Sequence, residues 1–191
     1  MKFQESQLAH KYLDGLNGIE IGASAHNPFN IPNCIYIDKY ESLDTIYKQQ
    51  EKELSDEVIV PNIIANGDNL PFEDSSLDYV LSSHVFEHFY DPIRTMKEWI
   101  RVTKNNGIIF IIFPHKDRTF DADKPRTKLK ELTDRHEFKL INNEDTHHYF
   151  WVTEDGLEFC KYMNLNVIEY LDIDDKVGNG FCIIIKVEKY I

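Results

Sequence analysis

Hydrophobic and polar positions along this chain alternate between two spacings. Residues 77–82 form a short apolar run entered after an acidic turn. Over residues 91–103, Ile93, Met96, Trp99, Ile100 and Thr103 recur at helical intervals. Asn105-Asn106-Gly107 stops that helix, and residues 108–113 follow with almost no polar side chain. A strand apolar on both faces belongs in a parallel sheet covered by helices on each side. Strand, helix, strand at this spacing is one right-handed crossover. The pattern therefore predicts the centre of a doubly wound α/β domain.

The same reading extends outward. Residues 1–17 predict a short N-terminal helix or arm, and residues 18–22 a strand ending in a glycine. Residues 23–33 carry Pro28 and Pro32 and hold no long helix. Residues 34–38 are a strand ending in an acid. Residues 40–54 predict a helix with Leu43, Ile46, Tyr47 and Leu54 toward the core. Residues 61–65 offer a third strand before the Gly67-Asp68 turn. From His115 to Tyr149 the apolar period fades, while basic residues and histidines accumulate, which reads as an insertion or lid with a helix near 128–136. Residues 153–163 predict a helix N-capped by Thr153, with Gly156 its weak point. Residues 167–172 and 181–187 are strands. The expectation is one domain over residues 1–191, a seven-stranded, mostly parallel Rossmann-like sheet with an antiparallel C-terminal strand in a three-layer sandwich.

At 191 residues and 42% hydrophobic, the chain suffices for one sizeable core. A formal net charge of −12 with no basic run argues against a nucleic-acid partner. Cys34, Cys160 and Cys182 are scattered in apolar segments, as for reduced thiols in the cytoplasm. The polar N-terminus does not read as a signal peptide, and no apolar run is long enough for a membrane span.

In an open α/β sheet the ligand lies beyond the carboxyl ends of the strands. Those positions are Gly22 to His26, Asp38, Asp68 with Asn69, Ser83 to His88, and Pro114 to Asp117. Gly22 admits close backbone approach, Asp38 is placed to accept from a ribose diol, and Asp68 or its neighbour's backbone to meet an adenine edge. A nicotinamide or flavin enzyme would use the same acids. However, Gly22 is followed by Ala23, Ser24, Ala25, His26 and Asn27 instead of the G-x-G-x-x-G that cradles a pyrophosphate. A cofactor without phosphate does not need it.

Five stretches carry a family resemblance: EIG at 20–22, the acid of YID at Asp38, GDNLPFEDSSLD at 67–78, SSHVFEHFYDP at 82–92 and EWIRVTKNNG at 98–107. With them the sequence resembles the class I S-adenosylmethionine-dependent methyltransferases, in the group that includes small-molecule and glycan-modifying members. The resemblance implies that S-adenosylmethionine is the cofactor. It also implies that Glu20 orients the methionine end through the loop of Gly22 and Ser24, and that Asp38 takes the ribose hydroxyls. Asp68 and Asn69 would then lie at the adenine, and Ser83 and His84 on the methionine and sulfonium side. Ser24 stands where the family has its second glycine, and the third is absent.

Methyl transfer to a hydroxyl needs a base. His115, directly past the central strand and followed by Asp117 as its orienting acid, is the first candidate, and His88 the second. His84 to His88 also spells H-x-x-E-H, a zinc-hydrolase pattern. It has force only on a helix, so no metal ligand set is assigned and a metal-dependent hydrolase stands as an alternative. A further alternative is a non-catalytic relative that only binds the cofactor. A divalent ion held among His84, His88, His115, Asp117, His147 and His148 is a separate reading. The lid carries Lys116, Arg118, Lys124, Arg126, Lys128, Lys130, Arg135 and Lys139, which favours a nucleotide-linked or acidic sugar as acceptor. The expected role is glycan O-methylation in surface-polysaccharide assembly, with an aromatic or quinone-like acceptor and an amino sugar as alternatives.

Overall fold

The strand β5 (Thr103–Pro114) shows how this sequence builds its sheet. Ile109, Ile111 and Phe113 point into one core, while Ile108, Phe110 and Ile112 point into another, and all six are buried. Each such side chain withdrawn from water contributes roughly 1.5–3 kcal/mol, so neither face tolerates solvent. A computed structural model describes residues 2–142 and 144–189 of the chain. Its elements are α1 (Gln7–Leu13), β1 (Gly18–Ile21), β2 (Ile35–Asp38), α2 (Ile46–Ser55), β3 (Ile63–Ile64), β4 (Leu77–Ser83), α3 (Pro92–Val102), β5, α4 (Leu129–Glu137), α5 (Thr153–Tyr162), β6 (Asn166–Leu171) and β7 (Gly180–Lys186). The seven strands form one sheet in the order β3-β2-β1-β4-β5-β7-β6. Pairing is parallel from β3 through β5, and β7 runs antiparallel to both β5 and β6. This is the predicted three-layer arrangement.

On one face, Met96, Trp99 and Val102 of α3, Leu132 of α4 and Phe159 of α5 cover the sheet. On the other, α1 contributes Leu8, Ala9 and Leu13, helped by Phe29 and Ile31 from the proline-bearing loop. The Asp91 carboxylate caps α3 by accepting from the Arg94 N–H at 3.0 Å, and Pro92 opens its first turn. Trp99 donates its indole N–H to the Gly67 carbonyl at 2.8 Å, tying the helix to the turn that follows β3.

Two expectations are corrected. The second helix starts at Ile46 behind a Thr45 cap, and its inward residues are not apolar. Leu43, Ile46, Tyr47 and Leu54 are exposed, whereas Lys48 and Glu51 are buried. The reason is what α2 packs on: it lies over the backbone of the loop after β1, whose N–H and C=O groups demand polar partners. The cap of α5 is Val152, not Thr153. Asp155 accepts from the Val152 N–H at 2.9 Å, while the Thr153 hydroxyl donates to Asp172. Gly156, expected to weaken that helix, instead lets it sit on β7, because a Cβ there would lie 2.6 Å from a Phe181 ring carbon.

Candidate functional site

A cleft of about 1200 Å³ opens at the carboxyl ends of β1, β2, β3 and β4. Its floor is the loop after β1. Gly22 has φ +71 and donates its N–H to the Ile37 carbonyl at 2.8 Å. A Cβ on Gly22 would lie 2.4 Å from Val85 Cγ2. The loop lacks further glycines and is held from behind by the buried pair of α2. Glu51 accepts from the Ala25 N–H at 2.6 Å and from the Ile59 N–H at 2.7 Å. Lys48 donates to the Ala23 carbonyl at 3.3 Å and pairs with Glu51 at 2.8 Å.

The acids stand at successive strand ends. Glu20 is buried at the cleft wall, and desolvation pushes its carboxyl up to about 8 against the pull of Lys176 and Lys48. Asp38 uses one oxygen to accept from the Tyr40 N–H at 3.1 Å, and its other oxygen lies 4.0 Å from the Lys48 ammonium. Asp68 faces Arg94 at 3.6 Å. Ser83 accepts from the Asn27 side-chain amide at 3.3 Å. His84 takes φ +53, unusual for a non-glycine residue, because its N–H is drawn to the Ile112 carbonyl at 2.9 Å. Its Nε2 is buried without a partner among the described residues, and burial holds the ring neutral, its pKa pushed down to about 4.

Beyond His84 the chain makes a 3₁₀ turn, Phe86–His88. Burial lowers the His88 imidazole to about 4, with the neighbouring His147 adding to the effect. Glu87 is fully buried, and desolvation raises its carboxyl to about 8. His147, from the segment between α4 and α5, lies edge-on to the His88 ring with centroids 4.9 Å apart. Tyr40 and Tyr47 stack nearby with centroids 6.5 Å apart, and the Tyr40 hydroxyl donates to Asp145.

Among known families, that described as "Methyltransferase domain" matches residues 21–111, the stretch that supplies most of the lining of this cleft. Residues 21–111 are thus similar to a methyltransferase domain, on a sheet with the class I S-adenosylmethionine-dependent methyltransferase fold. An uncharacterized methyltransferase of Mycobacterium sp. (strain JLS) is 45% identical over 49 residues, covering 26% of this chain and 19% of that protein. The chain thus aligns with about a fifth of the length of that curated relative. Among solved structures, a methyltransferase of Methanosarcina mazei superposes with a TM-score of 0.57 at 16% identity, covering 100% of both chains. A Thermotoga maritima protein described as a possible histamine N-methyltransferase gives 0.56 at 18% identity, covering 96% of this chain and 87% of that one. At those identities the likeness is one of fold.

Of the residues singled out in sequence, Glu20, Gly22, Ser24, Asp38, Asp68, Ser83, His84 and His88 all line this cleft. Asn69, His115 and Asp117 are not among its lining residues. The Asn69 N–H closes the turn after β3 by donating to the Asn66 carbonyl at 3.0 Å. β5 pairs with β7 as far as Pro114, and the His115 N–H then donates to the Asn179 carbonyl. The His115 ring meets Phe181 edge-on at 6.2 Å, its Nδ1 accepts from the Asp117 N–H at 3.3 Å, and the Asp117 carboxylate pairs with Lys116. Sequence reasoning missed the Lys48–Glu51 clamp, whose only signal was a charged i, i+3 pair, and the meeting of Glu87 with His147.

Proposed function

We propose that this methyltransferase methylates a hydroxyl of a neutral, polar small molecule, with S-adenosylmethionine as donor. The observation that carries the reading is one continuous cleft. It joins the Gly22, Asp38 and Asp68 wall, suited to a nucleoside, to the unpaired imidazole of His84 and to His88. The Gly22 cradle, which a single Cβ would fill, fits a cofactor pressed against the backbone. Asp38 retains an oxygen for the ribose hydroxyls, and Glu20 lies beneath the loop expected to hold the methionine end. Bound there, the cofactor supplies a sulfonium-activated methyl group, and transfer forms the acceptor–methyl bond as the carbon–sulfur bond breaks toward sulfur.

The chain's own task is to orient the acceptor and take its proton. Four imidazoles line the cleft, those of His26, His84, His88 and His136, and the role expected of His115 passes to His84 and His88, which follow β4. The lid does not supply the positive mouth expected of it. Lys116, Arg118, Arg126 and Lys130 pair with Asp117, Asp172, Asp155 and Asp134, and Arg135 lies over the Tyr90 ring. Of the eight lid cations, Lys139 alone lines the cleft. With Glu20 held neutral by burial, the lining still sets Asp38, Glu51, Asp68, Asp91, Glu144 and Asp145 against Lys39, Lys48, Arg94 and Lys139. An acid excess disfavours a phosphate or carboxylate on the acceptor. A neutral sugar, including one destined for a surface polysaccharide, remains within the class, and the same excess favours an amine as the second reading.

Methyl-labelled cofactor incubated with a panel of neutral sugars, amines, nucleotide sugars and uronic acids tests this. Label is expected in neutral sugars, or in amines on the second reading. Label confined to the anionic compounds overturns the acceptor class, and label in none favours a relative that only binds the cofactor.

A further inference from the structure

The Glu87 side chain is the least accounted-for group in the molecule. It is 1% exposed, and neither carboxylate oxygen has a hydrogen-bond partner among the described residues. A buried carboxylate without partners is costly, and the surrounding side chains do not relieve it. Two imidazoles approach the same oxygen and stop short. His88 Nε2 is 3.9 Å from Glu87 Oε1, and His147 Nε2 is 3.7 Å from it. Both distances exceed hydrogen-bond reach.

The far side of the His147 ring explains why its Nε2 faces the carboxylate. His147 Nδ1 lies 2.6 Å from Asp121 Oδ2. Asp121 is itself buried, so the ring donates Nδ1–H to it and turns Nε2 toward Glu87. Asp145 Oδ1 stands 3.2 Å from His88 Nδ1, off the line of a hydrogen bond. The carboxylate behind His147 is of the kind by which proteins fix the tautomer of a metal-binding histidine. Tyr47 meets His88 edge-on and Phe120 packs on His147, limiting both rings.

We propose that Glu87, His88 and His147 form a binding site for a divalent transition-metal ion of the zinc class at the edge of the cleft. Their ligand atoms all lie within 4.8 Å of one another. Bonds of about 2.0–2.2 Å in tetrahedral geometry set ligands about 3.4 Å apart, so modest side-chain rotation closes the set. Two imidazoles and one carboxylate leave a coordination position open, and His88 is the ligand that lines the cleft. The literal H-x-x-E-H pattern is thereby divided: Glu87 and His88 belong to the site, His84 does not, and the third ligand comes from 59 residues further along the chain. The open position is suited to an acceptor oxygen, whose proton a cation makes easier to remove. That role rests on the methyl-transfer reading, whereas binding of the ion does not.

The test is titration of the chelator-stripped protein with Zn²⁺ by calorimetry, and with Co²⁺ by visible absorption. One equivalent is expected, with the cobalt bands of a four- or five-coordinate site. Glu87→Gln and His147→Gln should each abolish stoichiometric binding, Asp121→Asn should weaken it by about 10–100-fold, and His115→Gln should leave it unchanged. Far-UV dichroism verifies folding. If either ligand variant fails to fold, Asp121→Asn, which keeps all three ligands, decides. Titration of the same metal-free protein with S-adenosylmethionine reads the cofactor wall separately, so failure of one reading is distinguishable from failure of the other. Absence of stoichiometric binding, or unchanged affinity in Glu87→Gln and His147→Gln or in Asp121→Asn, overturns the site.

Discussion

Replacing Gly22 with alanine places a methyl group where the fold has no room. The residue sits at φ +71, and the added Cβ would be 2.4 Å from Val85 Cγ2. The left-handed backbone costs an L-residue about 1–2 kcal/mol, and the overlap with Val85 adds about 1–3 kcal/mol of overpacking. The two terms act on different atoms, so together they cost about 2–5 kcal/mol. In a chain of this size that lowers Tm by roughly 4–20 °C. Relief of the overlap along the loop also narrows the cradle, so affinity for S-adenosylmethionine falls in parallel. Val85→Ala removes the opposing methyl groups without changing the backbone at Gly22. Thermal and denaturant unfolding of the two single variants and the double variant therefore separates the terms. The double variant should recover about 1–3 kcal/mol relative to additivity, leaving the backbone share in place. A Gly22→Ala protein with native Tm and native cofactor affinity, or strict additivity in the cycle, would refute the reasoning.

Asp38→Ala should weaken S-adenosylmethionine binding by about 1.5–3 kcal/mol, the worth of a charge-assisted bond, and calorimetry reads this directly. His84→Asn should lower turnover about 10²–10⁴-fold as loss of a base, and His88→Asn should lower it too, as loss of a base or, with the ion bound, of a ligand, whereas His115→Asn leaves it within a few-fold in a single-turnover assay. Without cofactor, Glu20 has its carboxyl raised from 4.5 to about 8, so the neutral acid stabilises the fold fully below about pH 4.5, and that contribution is lost as pH rises through about 8. Lys176, lowered from 10.5 to about 8, acts in the window above, where stability rises toward pH 10.5. Tm against pH should dip near 8, and Glu20→Gln should flatten the acid-side slope.

The centre of the sheet was legible because β5 is apolar on both faces and α3 carries its cap, its periodic stripe and its stop within one short stretch. The strand-end acids were legible for a related reason: in a parallel sheet, chain order alone places the residue after each strand on the same edge. α2 was misread because apolar spacing reports the buried face only when a helix packs on side chains. Here it packs on loop backbone, so Lys48 and Glu51 turn inward and Tyr47 faces the cleft. His115 follows the central strand in sequence, but pairing with β7 through Pro114 and contact with Phe181 leave it outside the cleft lining. The approach of His147 to Glu87 depends on the return of the chain between α4 and α5, and no local period encodes it.

Calorimetric titration of the folded protein with S-adenosylmethionine, its demethylated product and a nicotinamide dinucleotide tests the central claim most directly. One equivalent of each sulfur compound should bind, both weakened by Asp38→Ala, and the dinucleotide should give no heat. No binding of either sulfur compound by protein with a native unfolding transition would contradict the account.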